Sequence, residues 1–181
     1  VAQLAELIRA QVPVPQWPAA WFEVQDNVRR ADVLLGTPFA PGSAVRAALA
    51  LGADGVTEEL QRSALRGRGG AGYVAGAKWK ACRETPADVR YVVCNADEGE
   101  PGTFKDRVLL TSHADLVFEG MTAAALAVRA SQGLVYLRGE YGYLLEPLRA
   151  VLQRRREAGL LGPAVGGQNG FGFDIDIHVG A

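Results

Sequence analysis

The chain of 181 residues is predicted to be an α/β domain on three observations. Short β-branched runs alternate with stretches of helical apolar spacing, glycines crowd into one loop, and a run of acids follows directly on the first such strand. Residues 1–42 read as a loop-rich N-terminal extension, and residues 43–181 as the α/β domain itself.

Val1 to Ala10 has the apolar spacing of a short helix, after which Pro13, Pro15 and Pro18 interrupt regular structure. Loop character persists to Ser43, which is expected to cap a helix from Ala44 to Leu51. Thr57 is expected to cap a second helix that begins at Glu58. The segment Arg66 to Gly76 has five glycines in eleven residues and is predicted to be irregular. Arg90 to Cys94 then reads as a buried strand, and Asn95 to Gly102 as an acidic turn. Ala114 to Ala130 has helical spacing, and Gly133 opens a strand from Leu134 to Leu137. An amphipathic helix follows, with Leu145, Leu148, Val151 and Leu152 inward, Arg154 to Arg156 outward, and Pro147 tolerated in its first turn. Asp174 to Val179 alternates polar and apolar residues as a final strand. Together these make a Rossmann-like sheet with helices against it.

Composition narrows the function. Nineteen basic and twenty acidic residues leave a formal charge of -1, which offers no field for a phosphate backbone or an anionic membrane surface. Nucleic acid and membrane surfaces are therefore not expected as partners; with no run of roughly 18–20 apolar residues and no basic-then-apolar start, direct membrane insertion is not expected either, and the setting expected is cytoplasmic. Cys82 and Cys94 have neither metal-site spacing nor disulfide-scaffold density, and read as reduced structural thiols. His113 and His178 have no spacing that makes a metal site.

Gly67, Gly69 and Gly72 match G-x-G-x-x-G, but the dinucleotide fingerprint needs a strand before the loop and a helix directly after it. A helical stretch precedes this loop, and the residues after it look glycine-broken. What remains is a concave surface of backbone N–H groups with Arg68 and Lys78 nearby, suited to phosphate or a planar anion. The competing readings are a plain tight turn and an RGG-type nucleic-acid segment, the latter needing repeats and positive charge that the chain lacks. Asn95, Asp97, Glu98 and Glu100 fall at a C-terminal strand end, where open α/β sheets bind ligands and carboxylates accept from sugar hydroxyls. A solvated loop balanced by Lys105 and Arg107 is the alternative.

The run Leu65 to Tyr73, with Gly76, Lys78 and Trp79, and the run Val93 to Arg107 closely resemble the FMN-binding subunit family of NADH dehydrogenases. That family spans the flavoprotein of complex I and the diaphorase flavin subunits of soluble NAD-reducing hydrogenases and NAD-dependent formate dehydrogenases. The match runs from about Asp26 to the end, and Asn27 to Arg30 points toward the hydrogenase or formate dehydrogenase branch. The resemblance implies that Gly67, Arg68, Gly69, Gly70, Ala71, Gly72 and Lys78 contact FMN, with Asn95, Asp97 and Glu98 at its ribityl and phosphate side. It places Gly70, Tyr73, Lys78 and Glu100 against NAD(H), with Tyr73 standing where the family usually has Phe. It implies no catalytic side chain, because the flavin performs the hydride chemistry. It further implies iron–sulfur partner subunits and a 4Fe–4S cluster borne by a later region. That region, a second glycine turn and a β-grasp-like domain have no counterpart in these residues, so the chain is expected to be part of a subunit and inactive alone. The alternative is a non-catalytic fragment or structural paralogue that serves as an assembly surface.

Overall fold

The structure, a computed structural model, describes residues 2–23, 28–31, 35–68, 70–167 and 169–180. Gly69 and Asn27, both singled out above, lie outside the described residues. Helix α1 is Ala2–Arg9, and two 3₁₀ turns follow at Val14–Gln16 and Ala19–Trp21. The domain then runs α2 (Ser43–Arg62), α3 (Ala75–Glu84), β1 (Tyr91–Ala96), α4 (Lys105–Ser112), α5 (Ala114–Val128), β2 (Gln132–Leu137), α6 (Leu145–Glu157) and β3 (Asp174–Val179). The three strands are parallel in the order β1-β2-β3, which confirms the α/β class.

Each strand buries alternate residues. Val92, Gly133 and Ile175 lie abreast, as do Cys94, Val135 and Ile177, and this face carries the core. On it lies α5, where Phe118, Ala125 and Ala127 are fully buried. Burying a side chain such as Phe118 contributes about 1.5–3 kcal/mol, so this one helix anchors much of the domain. Below α6, Leu148 and Leu152 close the core against Phe173 and Ile175. The opposite sheet face leaves Tyr91, Val93 and Tyr136 exposed.

Several expectations are corrected. Ser43 does not cap α2: the residue before the helix is Gly42, at φ 84°. Instead the side chain of Glu119, 77 positions away, accepts from the Gly42 N–H at 3.1 Å and from the Val45 N–H at 2.9 Å. Thr57 is no cap either. It lies buried inside α2, where its hydroxyl donates to the Ala53 carbonyl at 2.9 Å, and the break between the two expected helices is Gly52, at φ 69° and ψ 174°. Helices α3 and α4 have no clear sequence signal, since glycines hide the start of the first and acids and prolines the start of the second. Arg155, expected on the outer face of its helix, is 1% exposed, ion-paired to Glu119 at 2.6 Å and to Asp115 at 3.1 Å. Strand β1 extends two residues further than expected, taking Asn95 and Ala96 out of the turn, and β2 begins two residues earlier, enclosing Gly133.

Candidate functional site

The glycine loop closes as a clasp between α2 and α3. Arg66 and Val74 form a single antiparallel bridge, Gly67 N–H donates to the Tyr73 carbonyl at 2.8 Å, and Ala75 N–H donates to the Leu65 carbonyl at 2.8 Å. The Arg66 guanidinium donates to the Gly72 carbonyl at 3.1 Å and so holds the far side of the clasp. Arg68, Gly70, Ala71, Tyr73 and Lys78 line it, with Lys78 in the first turn of α3. The helix that the dinucleotide fingerprint demands after its glycines does exist, but α2 rather than a strand enters the loop.

The glycines divide into two kinds. A Cβ at Gly70 or Gly72 would meet nothing within 4 Å, and one at Gly67 would make only an ordinary contact with the Tyr73 backbone at 3.7 Å. At Gly76 a Cβ would lie 2.7 Å from the Gln61 side chain, 2.8 Å from the Gln61 backbone N and 3.0 Å from the Thr57 carbonyl. Gly76 is thus a helix-packing glycine that lets α2 and α3 touch. The clasp glycines leave open space above the backbone, which suits a flat ligand with a phosphate, alongside the cations Arg68 and Lys78.

Past the C-terminal end of β1, an open cleft of ≈ 510 Å³ is lined by Asn95, Asp97, Glu98, Glu100, Pro101 and Asp106. Its carboxylates are not equivalent. Glu100 is exposed and Asp97 half-buried, whereas the side chain of Glu98 has no exposure at all. One Glu98 oxygen accepts from the Asp106 N–H at 2.8 Å, and the other from the Arg107 N–H at 3.2 Å and the Tyr141 hydroxyl at 2.8 Å. Those two amides belong to the first turn of α4, where N–H groups have no partner within the helix. Burial alone would raise the Glu98 carboxyl, but the three hydrogen bonds, with Lys105 nearby, hold it below the ordinary carboxylate range. Tyr141 moves the other way, pushed up to about 12 by burial and by its bond to the Glu98 carboxylate. Glu98 also sits at φ 45°, a left-handed conformation that costs a non-glycine residue on the order of 1–2 kcal/mol.

Tyr141, in the 3₁₀ turn Gly139–Leu144, and Arg138, one residue past β2, belong to no motif in the sequence. Arg138 donates to the Glu98 carbonyl at 2.5 Å, to the Asp97 carbonyl at 3.5 Å and to the Glu140 carboxylate at 2.7 Å. The signal that could have found them is positional: they follow the C-terminal end of the strand beside β1, where this class of sheet collects its ligand-binding groups. The structure therefore brings Asn95, Asp97, Glu98 and Glu100 to one cleft, and Gly67, Arg68, Gly70, Ala71, Gly72, Tyr73 and Lys78 to one clasp. Among the described residues no hydrogen bond or ion pair joins the two.

Comparison with known proteins bears on both features. The chain is 58% identical over 126 residues to the NAD-reducing hydrogenase HoxS subunit alpha of Cupriavidus necator, covering 70% of this chain and 21% of that one. It is 41% identical over 137 residues to a subunit of the NADH-quinone oxidoreductase of Escherichia coli, covering 75% and 31%. The crystal structure of an NAD⁺-reducing NiFe-hydrogenase in the H₂-reduced state superposes with a TM-score of 0.83 at 40% identity, covering 99% of this chain and 30% of that one. The chain thus spans between about a fifth and a third of the length of these relatives. No helix among the described residues is long and apolar enough to cross a membrane. The model of the Nuo51 FMN-binding domain matches residues 60–181, which takes in both the clasp and the acidic turn, and the chain belongs to that family.

Proposed function

We propose that this chain forms one wall of an FMN and NAD(H) site in a flavin subunit that moves electrons between the nicotinamide nucleotide and iron–sulfur centres of a larger redox assembly. The observation that carries the reading is the clasp whose Gly70 and Gly72 face open space, in a chain whose family is defined by flavin binding. The donor set fits the flavin: Gly67, Arg68, Gly70, Ala71, Gly72 and Lys78 supply amides, cations and clearance, Asn95 and Asp97 supply acceptors for ribityl hydroxyls, and Gly69 is assigned to the flavin on the motif alone. Gly70, Tyr73, Lys78 and Glu100 are assigned to NAD(H), with the exposed Tyr73 ring as an apolar surface beside the nucleotide. Bound flavin supplies hydride acceptance from a two-electron donor and release of those electrons singly.

The protein's own part is to bind and orient. The clasp fixes backbone N–H groups through its cross-loop hydrogen bonds, and the acidic turn sets acceptors at the end of β1. No side chain in either feature is required as a general acid or base. Higher identity to the hydrogenase subunit than to the quinone oxidoreductase subunit favours a hydrogenase as host over a quinone-reducing assembly. Cys82 and Cys94 are both free and too few for a 4Fe–4S cluster held by four thiolates, so electrons leave through centres beyond these residues, and the 181 residues alone reduce no iron–sulfur partner. A cytoplasmic setting accompanies this reading. The test is flavin content: the protein purified from its source should carry close to one FMN per chain and lose that flavin's visible absorbance on adding NADH. Absence of flavin would return the chain to an assembly role.

A further inference from the structure

The Glu98 network does more than cap a helix. We infer that Tyr141 and Arg138 are positioning residues for the nucleotide: acting through Glu98, they hold residues 97–100 in the one shape that turns Asp97 and Glu100 into the cleft. This rests on the function proposed above and assigns residues that neither the motifs nor the family description single out.

The geometry makes the turn depend on three elements at once. The Glu98 backbone has φ 45°, which a glutamate adopts only under constraint from its surroundings. Its side chain is pinned by the α4 amides of Asp106 and Arg107, and Tyr141 donates to one of the same oxygens. Its carbonyl is pinned from the other side by the Arg138 guanidinium, which also reaches the Asp97 carbonyl and lies 5.9 Å from the Tyr141 ring centroid. Asp97 and Glu100 flank this residue, and neither side chain takes any of the constraint. Among the described residues, the hydrogen bonds of Asp97 are made by its backbone N–H, which donates to the Asn95 side chain, and by its carbonyl at Arg138. Those of Glu100 are made by its carbonyl, which accepts from the Thr103 N–H and hydroxyl. The arrangement divides labour within four residues: the buried carboxylate and the flanking Arg–Tyr pair fix the backbone, and the two outer carboxylates stay available to a ligand.

Tyr141→Phe removes one hydroxyl and keeps the ring, so it tests the division directly in the protein purified with its natural chain and partners. The expected result is a KM for NADH raised about five- to tenfold with kcat changed less than about twofold, together with faster hydrogen exchange at the Asp106 and Arg107 amides. Arg138→Met should act in the same direction, and Arg138→Lys should restore part of the affinity. Tyr143→Phe, an exposed neighbour of Tyr141, is the control and should change nothing. Faster exchange with unchanged KM would reduce Tyr141 to a scaffold role and overturn the inference, as would an unchanged KM without any exchange effect. A wild-type protein that holds no flavin and oxidises no NADH would instead sink the function on which the inference rests, taking the inference with it. The two failures are distinguishable because the second appears before any substitution is made.

Discussion

Glu119 and Glu98 are the two buried glutamates among the described residues, and each holds the start of another helix, Glu119 one far away in the chain and Glu98 one that follows closely. Glu119 reaches from α5 to the start of α2, and Glu98 from the turn after β1 to the start of α4. They differ in what balances their charge. Glu119 faces a buried guanidinium, Arg155, which also donates to Asp115 and keeps an unpartnered Nε. The Glu98 carboxylate is held instead by two backbone amides and a phenol, with its ion-pair partner Lys105 3.9 Å away, and lies beside an open cleft rather than in the core. A buried carboxylate is thus no mark of a ligand site by itself. What separates the two is the company of exposed acceptors at the end of a strand.

Breaking the core member of the pair should cost the most. Glu119→Ala leaves Arg155 charged and buried and removes the acceptor of two α2 amides, a loss of about 3–5 kcal/mol. For a domain of this size that is a fall in Tm of roughly 6–20 °C by calorimetry. Flavin per folded chain should be unchanged at low temperature, and a small Tm shift would show that the Arg155 cluster contributes little.

The same contrast between structural and ligand-facing roles recurs in the glycines. Gly76→Ala drives a methyl into the Gln61 backbone and the Thr57 carbonyl, so overpacking should cost on the order of 1–3 kcal/mol whatever the cofactor does. A Cβ at Gly70 meets no protein atom, so Gly70→Val should keep stability within about 1 kcal/mol by denaturant unfolding, yet abolish FMN retention. A Gly70→Val protein with stoichiometric FMN would move the flavin away from the clasp.

Acid should probe the Glu98 network directly. Glu98 has a depressed folded pKa, so its stabilising contribution is complete above the unfolded carboxyl value of about 4.3 and is lost as pH falls through the lower folded value. Lys105, Asp106 and Arg107 from α4, and Arg138 and Tyr141 from the other side, all face this group, and none of these residue types ordinarily titrates between about pH 5 and 8. NMR signals of the Asp106 and Arg107 amides should therefore be flat across that range and shift below about pH 4. Tyr141 has the opposite sign: its contribution is complete below its ordinary value near 10 and is lost as pH rises through about 12. Ionisation of Tyr141 near the ordinary phenol value of about 10, read as the tyrosinate absorbance lost in Tyr141→Phe, would contradict the hydrogen bond to Glu98.

The comparison also explains what could be read without coordinates. The sheet with helices against it, α5, α6 and the positions of the glycine clasp and the acidic turn are legible in the sequence, because apolar spacing and the clustering of glycines and acids are local. Ser43, Thr57 and Arg155 resist such a reading because their roles depend on partners elsewhere in the fold. A serine before an apolar run resembles a cap until a glutamate from α5 takes the place, and an arginine among arginines resembles a solvated face until a buried acid claims it. Glu98 joins the expected ligand set because the motif places it between Asp97 and Glu100. Only the fold shows that both its oxygens are engaged by α4 and Tyr141.

Glu100 offers the smallest change in stability and the sharpest reading of nucleotide choice. Its side chain is exposed and its carbonyl alone is engaged by Thr103, so Glu100→Gln should shift stability by no more than about 0.5 kcal/mol. A 2′-phosphate adds about two negative charges near neutral pH, and placing it beside Asp97 and Glu100 is unfavourable by repulsion that a cleft screens poorly. On the proposed assignment the hydroxyls of NADH donate instead to the Glu100 carboxylate. Losing one hydrogen bond to a charged acceptor costs about 1.5–3 kcal/mol, so Glu100→Gln should lower kcat/KM for NADH about tenfold or more while easing entry of NADPH. The ratio of kcat/KM for the two nucleotides should therefore narrow, with FMN content unaltered. If that ratio holds in the variant, Glu100 lies outside the nucleotide site, and the acidic turn serves the flavin alone.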